Sequence, residues 1–528
     1  MRTASAIPEN LYSYSDHCTR GAQELQNWVR GALTPAIQAY ERGGGACLVP
    51  IDAEVTTTAA AASRTDAEVR RVGHAFQQAG SASPLPTVGT SPNDLPNRPA
   101  DGLYRMSDEA LDIQLKHQAQ IDAGAALAAK MSKKGDPANL RWITEQLDLH
   151  ANDGFFAAGF YNSLTANQIA ELMGRRGECA VNGNDQALAN ALASGALSAK
   201  AAHNIVTALG RVQGTDLSVQ HWHITEGTQL SVLQAIANNR TAARNFVDLL
   251  NGADLHRLVN LSQYSTDGLV FTPVFHVLSQ AALTHDNDPA GMRAFMKRVS
   301  TALHGVDLTY VPGAQATLLQ FLAVGMAGSV ADPGPGMTPK QLTRWIENQS
   351  AEVDSILSSY LDVIIKSNAA REGVDDAVKS ITSGAVLNIL PWGSLVHSGS
   401  SVLDNLVIGG LQSGAGIGLD KDFEATLGAN LPGDGKINVL EFTKRAGTGP
   451  ARIAMWTQLA KHGYLVDSHN KPVDLSSGDT KALIADMSSH PHDYSIKNGS
   501  NDLQALNKIF DFTNAESKSY NTILELTK

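Results

Sequence analysis

Residues 11–42 place apolar or small side chains at alternating steps of three and four: Leu11, Tyr14, Cys18, Gly21, Leu25, Trp28, Ala32, Pro35 and Ala39. That spacing keeps one face of an α-helix apolar and predicts a heptad seam with a kink near Pro35. Gly43-Gly44-Gly45 stops the pattern. A second series resumes it: Ile51, Val55, Thr58, Ala62, Thr65, Val69, Val72, Phe76, Ala79. Two long amphipathic helices with a short Gly-rich joint predict an antiparallel helical hairpin over 1–82. Such a hairpin has apolar surface in excess. Leu11, Leu25 and Trp28, with Val55, Val69, Val72 and Phe76, form the candidate interaction seam, to be buried against another hairpin, against the rest of the chain, or within the hairpin itself.

Proline-rich phrases such as Ser91-Pro92 and Leu95-Pro96 predict a linker over 83–103. From 104 to 379 the chain reads as many short helices, each closed by Gly or Asn. In the phrase "DPANLRWITEQLDLH", Asp136 is placed to cap a helix that has Pro137 at its first position. "TPKQLTRWIENQSAEVDSILSSYLDVIIKSNAA" reads as one longer helix. Residues 380–419 carry a single charge, Asp404, and many glycines. Their length would cross a bilayer, but Pro391, His397 and the glycines favour a buried small-residue hairpin over a membrane contact. Residues 420–528 predict a smaller helical domain, with "GPARIAMWTQLAKHGYL" and "NDLQALNKIFDFTNAESKSYNTILELTK" as its clearest helices. The expected class is therefore all-α: an N-terminal hairpin, a multi-helical body and a C-terminal helical domain.

Composition narrows the function. The 528 residues carry 41 Lys+Arg against 52 Asp+Glu, a formal charge of -11. No basic stripe is available to displace phosphate counterions, so a nucleic-acid partner is not expected. Aromatic residues are only 6%, so the core must rest on Ala, Leu, Val and Ile. The three cysteines, Cys18, Cys47 and Cys179, do not make a disulfide framework and read as reduced core thiols. The first nine residues hold no apolar signal-peptide core, which predicts a chain that stays in the cytosol or leaves by a route needing no such signal.

Candidate chemistry is sparse. Asn430 to Phe442 resembles the second half of an EF-hand loop, with Asn430, Asp434 and Glu441 at the first, fifth and twelfth places. Proline at the third place removes a ligand, so a turn before a helix is the preferred reading. The pairs His221/His223 and His490/His492 lack a companion ligand at a zinc-type spacing and read as surface histidines. No nucleophile elbow, phosphate loop, zinc-protease helix or dinucleotide fingerprint is present. No cofactor, metal or catalytic residue is assigned.

With those residues in view, the hairpin over 11–80 resembles the WXG-type helical hairpins of type VII (ESX) secretion substrates. The resemblance implies pairing with another helical hairpin or a secretion component, and export without a cleaved signal. Part of that family carries a Tyr-x-x-x-Asp/Glu signal after the hairpin; Tyr104 and Asp108 match it. The Trp–Gly element here is Trp28 and Gly31, inside the first helix. Residues 65–80 and 147–174 also resemble an uncharacterised multi-helical actinobacterial family, through Asp153, Phe156, Ala157 and Phe160. Together these imply a non-enzymatic interaction protein linked to a type VII-like system, in the cytosol before export and then secreted or at the cell surface. The rival expectation is a polymorphic toxin whose active end, 380–528, is membrane-active or an unrecognised hydrolase. A third is an intracellular scaffold.

Overall fold

The computed structural model describes residues 3–43, 51–79, 81–82, 104–131, 136–174, 184–211, 224–261, 270–285, 288–306, 314–367, 448–475, 480–497, 499, 502–512, 516–519 and 521–522. Within them the fold is predominantly helical, with twenty α-helices and five short strands. The chain divides into two compact units, Met1–Ile205 and Val206–Lys528.

The first unit opens with strand β1 (Thr3–Ala6) and helix α1 (Pro8–Trp28). One π-helical turn, Val29–Leu33, leads into α2 (Thr34–Arg42). Pro35 has no backbone N–H to return to Gly31, and its ring crowds that carbonyl, so the predicted kink has a cause. It takes the form of a wide turn, in which the N–H of Thr34 reaches back five residues to Val29. Helix α3 (Ile51–Ala79) runs antiparallel to α1: Tyr12 meets Gln77, and Asp16 meets Arg70.

Strands β2 (Ser81–Ala82) and β3 (Tyr104–Ser107) complete a three-stranded sheet in the order β1-β3-β2. Thr3 lies opposite Ser107, and Ala6 and Ala82 both lie opposite Tyr104. This small sheet is an addition to a predominantly helical fold that keeps the expected all-α class. Two to four residues are too few to carry an alternation signal, and the β1–β3 pairing joins residues about a hundred positions apart. Residues 83–103, the expected linker, lie outside the described residues.

Then follow α4 (Asp108–Lys116), α5 (Gln118–Ala128), α6 (Pro137–Leu149), α7 (Gly154–Asn162), α8 (Ala166–Gly174), α9 (Asn184–Ala193) and α10 (Ala199–Leu209), the last of which spans the division between the units. The Asp136 side chain accepts the N–H of Ala138, with Pro137 at the first helical position. Asp153 does the same for Phe155 and Phe156 on α7. Helices α5 and α7 cross with their backbones in contact. A methyl group on Gly124 would overlap the backbone of Phe156, and one on Gly159 would overlap Ile121. Phe156, Ala157 and Phe160 are buried beside this crossing. Asn162 at the end of α7 donates to Ala196 O and accepts from Ser198 N, tying the α7 and α9 ends together.

The second unit holds α11 (Glu226–Ala237), α12 (Arg240–Leu249), α13 (Gly252–Val259), α14 (Phe271–Ala282), α15 (Pro289–Leu303), α16 (Ala314–Gly328) and α17 (Pro339–Ser367). The last is the long helix read from sequence. Helix α14 is central, lying against α11, α12 and α16. Phe271 stacks on Phe275, Phe321 of α16 meets Phe275 edge-on, and Phe321 continues toward Phe295 and Tyr360. Met296 and Met292 of α15 fill the space that side chains at Gly325 and Gly328 would need.

The unit ends with α18 (Gly449–Lys461), β4 (Leu465–Asp467), α19 (Thr480–Ser489), β5 (Tyr494–Ile496) and α20 (Leu503–Ile509). β4 and β5 pair antiparallel, a second small sheet absent from the sequence reading. These elements pack on α16 and α17: Ser350 donates to Ile509 O, and buried Asp354 accepts from the N–H groups of Lys518 and Ser519. The helix expected from 501 onward ends at Ile509. Phe510 and Phe512 are both buried. Side chains two apart point to opposite sides of a helix, so burying both in one core requires leaving it.

Among the described residues no helix is long and apolar enough to cross a membrane. Residues 380–419 and the calcium-like loop with Asn430, Asp434 and Glu441 lie outside the described residues.

Candidate functional site

The seam residues read from sequence separate into two groups. Phe76 is 2% exposed, and Leu11, Val55, Val69 and Val72 are half-buried. Leu11 and Tyr12 lie directly against Gly73 of α3. Leu25 and Trp28 face away: they are 39% and 53% exposed. Tyr14 at 57% and Tyr40 at 61% share that exposure.

The side of α1 that meets α3 is displaced from the predicted seam. It carries Leu11, Ser15, Cys18, Ala22 and Val29 rather than Tyr14, Gly21, Leu25 and Trp28. At 100° per residue these two sets centre some 60–90° apart on the helix. The apolar face is wider than one neighbouring helix covers, so α3 takes one edge and leaves the other open. On α3 the corresponding inward residues include Ala59, Asp66, Gly73 and Phe76, while Thr58 is exposed.

The wide turn decides where Tyr40 falls. Twelve residues of uninterrupted α-helix would put Tyr40 about 120° away from Trp28. The extra residue taken in by the π-helical turn removes about 100° of that. Tyr14, Leu25, Trp28 and Tyr40 therefore form one stripe, about 39 Å long at 1.5 Å per residue. The open flank beyond the turn is small: Gly31, Ala32, Ala36 and Ala39 are all exposed.

The electrostatics of the pair are mostly closed. Arg70 bonds Asp16 at 2.5 Å and lies over the Tyr12 ring. Arg71 bonds Glu68 and the carbonyl of Leu115. Burial raises the Tyr12 hydroxyl above its ordinary range. The Tyr14 hydroxyl is raised chiefly by its hydrogen bond with Cys18, then by the charges of Cys18 and Asp66. Asp66 is the open point. It is 5% exposed, its backbone carbonyl accepts from Ser15 at 2.9 Å, and its Oδ2 has no hydrogen-bond partner. Neither Tyr40 nor Asp66 was singled out from sequence. Tyr40 is one residue out of phase until the wide turn is known, and a carboxylate is not read as an inward position.

Tyr104 is half-buried in β3, and Asp108 is exposed as the first residue of α4, whose cap is Ser107. The two thus sit on different elements, a strand and the helix it leads into. His490 and His492 each meet a carboxylate, Asp486 at 3.0 Å and Asp502 at 2.7 Å; His221 and His223 lie outside the described residues. Lys461 and His462 both bind Asp332, whose carboxyl is lowered by those hydrogen bonds and by Gly334 N–H against the cost of burial. Tyr464 donates to Gly334 O and accepts from Met337 N, so this cluster fastens the 332–337 loop to α18. Among the described residues no group of three or more His, Cys, Asp or Glu side chains is arranged to hold a metal ion.

No protein-family model, no curated protein and no solved structure matches this chain.

Proposed function

We propose that this chain is a non-enzymatic interaction protein that works by helical docking, and that its docking surface is the open stripe on α1 and α2. The observation that carries the reading is the joint exposure of Tyr14, Leu25 and Trp28 on one side of α1, whose other side packs on α3, with exposed Tyr40 of α2 continuing the line. Aromatic side chains on a supported helix are the residue types that dominate binding energy at interfaces. They occupy positions that a partner helix can cover by ridges-into-grooves packing. The partner is a helix pair of another chain. Assignment to a type VII-like export system, as substrate or partner, is supported by the resemblance of residues 11–80 and by Tyr104 and Asp108.

Two measurements test this. Recovery of partners on the full-length protein should fall at least tenfold for Trp28→Asp, since a charge in the centre of an apolar interface costs several kcal/mol. Unchanged recovery removes the stripe from the reading. Export is tested by comparing culture filtrate and lysate with and without the secretion ATPase. The intact protein should move from filtrate to lysate when the ATPase is lost. Retention in the lysate under both conditions leaves a docking protein with no export role.

A further inference from the structure

We infer that His74 of α3, together with Gln118 and Asp122 of α5, forms a binding site for a divalent transition cation, with Zn²⁺ as its expected occupant. The site is independent of the docking stripe.

Gln118 and Asp122 stand one helical turn apart on α5, and His74 meets them from α3. Nε2 of Gln118 lies 3.1 Å from His74 Nδ1 and 2.8 Å from Asp122 Oδ1, and those two atoms are 3.5 Å apart. Three ligand atoms bound at ~2.1 Å to one cation are spaced by about 3.0–3.4 Å, from octahedral to tetrahedral angles. The triangle of side-chain atoms already has the size of one face of a coordination shell.

The chemistry of the three groups agrees. The Gln118 amide nitrogen faces the Asp122 carboxylate and the His74 ring, where a cation would stand. Its oxygen, Oε1, is buried without a hydrogen-bond partner, in a residue 8% exposed. A buried acceptor left in that way is costly. A half-turn of the terminal amide exchanges oxygen and nitrogen without moving the rest of the side chain. Oε1 would then face Asp122 Oδ1 and His74 Nδ1, three lone-pair atoms that repel one another unless a cation joins them. One imidazole nitrogen with two oxygens suits Zn²⁺ better than Mg²⁺, which favours oxygen alone. The side chains of His74 and Asp122 are 43% and 48% exposed, which admits the cation and water at its remaining positions. Arg71, one turn before His74, is engaged by Glu68 and by the carbonyl of Leu115. A cation held here would fasten the end of the hairpin to the start of the helical body.

The test titrates the metal-stripped, full-length protein with Zn²⁺ against a chromophoric chelator. The parent should hold one tight equivalent that His74→Gln and Asp122→Asn bind at least about tenfold more weakly, the low end for losing even an outer-shell partner of a metal. His17→Gln, at an exposed histidine of α1, should bind as the parent does. Circular dichroism of these variants should match the parent. Gln118→Glu separates a ligand from a simple tether: a charged oxygen should tighten Zn²⁺ binding if residue 118 is a ligand, and loosen it if the amide serves only as a donor to Asp122. The inference fails if the parent holds no tight Zn²⁺, if His74→Gln or Asp122→Asn keeps the parent's affinity, or if His17→Gln loses as much as they do. Weaker binding by a folded Gln118→Glu also overturns the three-ligand site. If that variant does not fold, the His74 and Asp122 results decide alone.

Discussion

Two helix pairs in the first unit solve the same packing problem in opposite ways. α5 and α7 close on each other completely, with Gly124 and Gly159 letting the backbones touch and Phe156 and Phe160 sealing the flanks. α1 and α3 close only in part. Their shared side includes Ser15, Cys18 and Asp66, while Leu25 and Trp28 of the same helix face outward. A crossing that uses glycine to bring backbones together has spent its surface on the fold. A pair that buries polar groups and shows aromatic ones has kept surface for something else.

That contrast can be tested by mutation, beginning with the largest effect. Phe76→Ala should lower unfolding free energy by about 4 kcal/mol, the range for a buried aromatic side chain replaced by alanine. It is the closed end of the α1–α3 pair, and urea denaturation reads the loss. Gly159→Ala should cost about 3 kcal/mol, because the new methyl meets the rigid backbone of Ile121. A Gly21→Ala control, where nothing lies within 4 Å, should instead gain up to about 1 kcal/mol from helix propensity. Equal effects at the two glycines would erase the distinction between the pairs.

A closed interior should also respond to pH in a way the open stripe does not. Burial alone holds His276 of α14 down at about 4, against an ordinary value near 6.5. The folded state thus favours the neutral ring, and below pH 6.5 the unfolded chain takes up the proton first. Stability is unaffected above that pH, falls as pH drops from 6.5 toward 4, and then levels off. The total loss is about 3 kcal/mol at 1.36 kcal/mol per pH unit. His276→Phe should flatten this slope in denaturation series at pH 7, 5.5 and 4. The smallest effect belongs to the open surface. Trp28→Asp should move stability by no more than about 0.5 kcal/mol, while removing binding. A stability loss as large as that of Phe76→Ala would mean that Trp28 is core.

Much of the fold was legible because helices announce their ends. Asp136 with Pro137, Asp153, and the left-handed Gly195 and Gly305 sit where capping chemistry requires them. The strands were not legible, since β1, β2 and β3 draw their stability from pairing between distant residues. The candidate site was half legible. Heptad spacing identified Leu25 and Trp28 as apolar-face residues but could not say which edge of a wide face the neighbour would take. It also could not place Tyr40, because the count assumed an unbroken α-helix. Asp66 was invisible for a simpler reason: periodicity reads an inward carboxylate as an outward one.

The wide turn at Val29–Leu33 has a consequence for how this surface tolerates change in length. Upstream and downstream halves of the stripe are held in phase by one surplus residue, so spacing in the sequence and spacing on the surface are different quantities. Loss of a single residue within that turn that restored a plain α-helix would leave Tyr40 about 20° from Trp28, whereas closing the turn into a plain α-helix with all its residues kept would swing Tyr40 about 100° away. Every side chain of the stripe would remain, in the same order, yet they would no longer lie on one line.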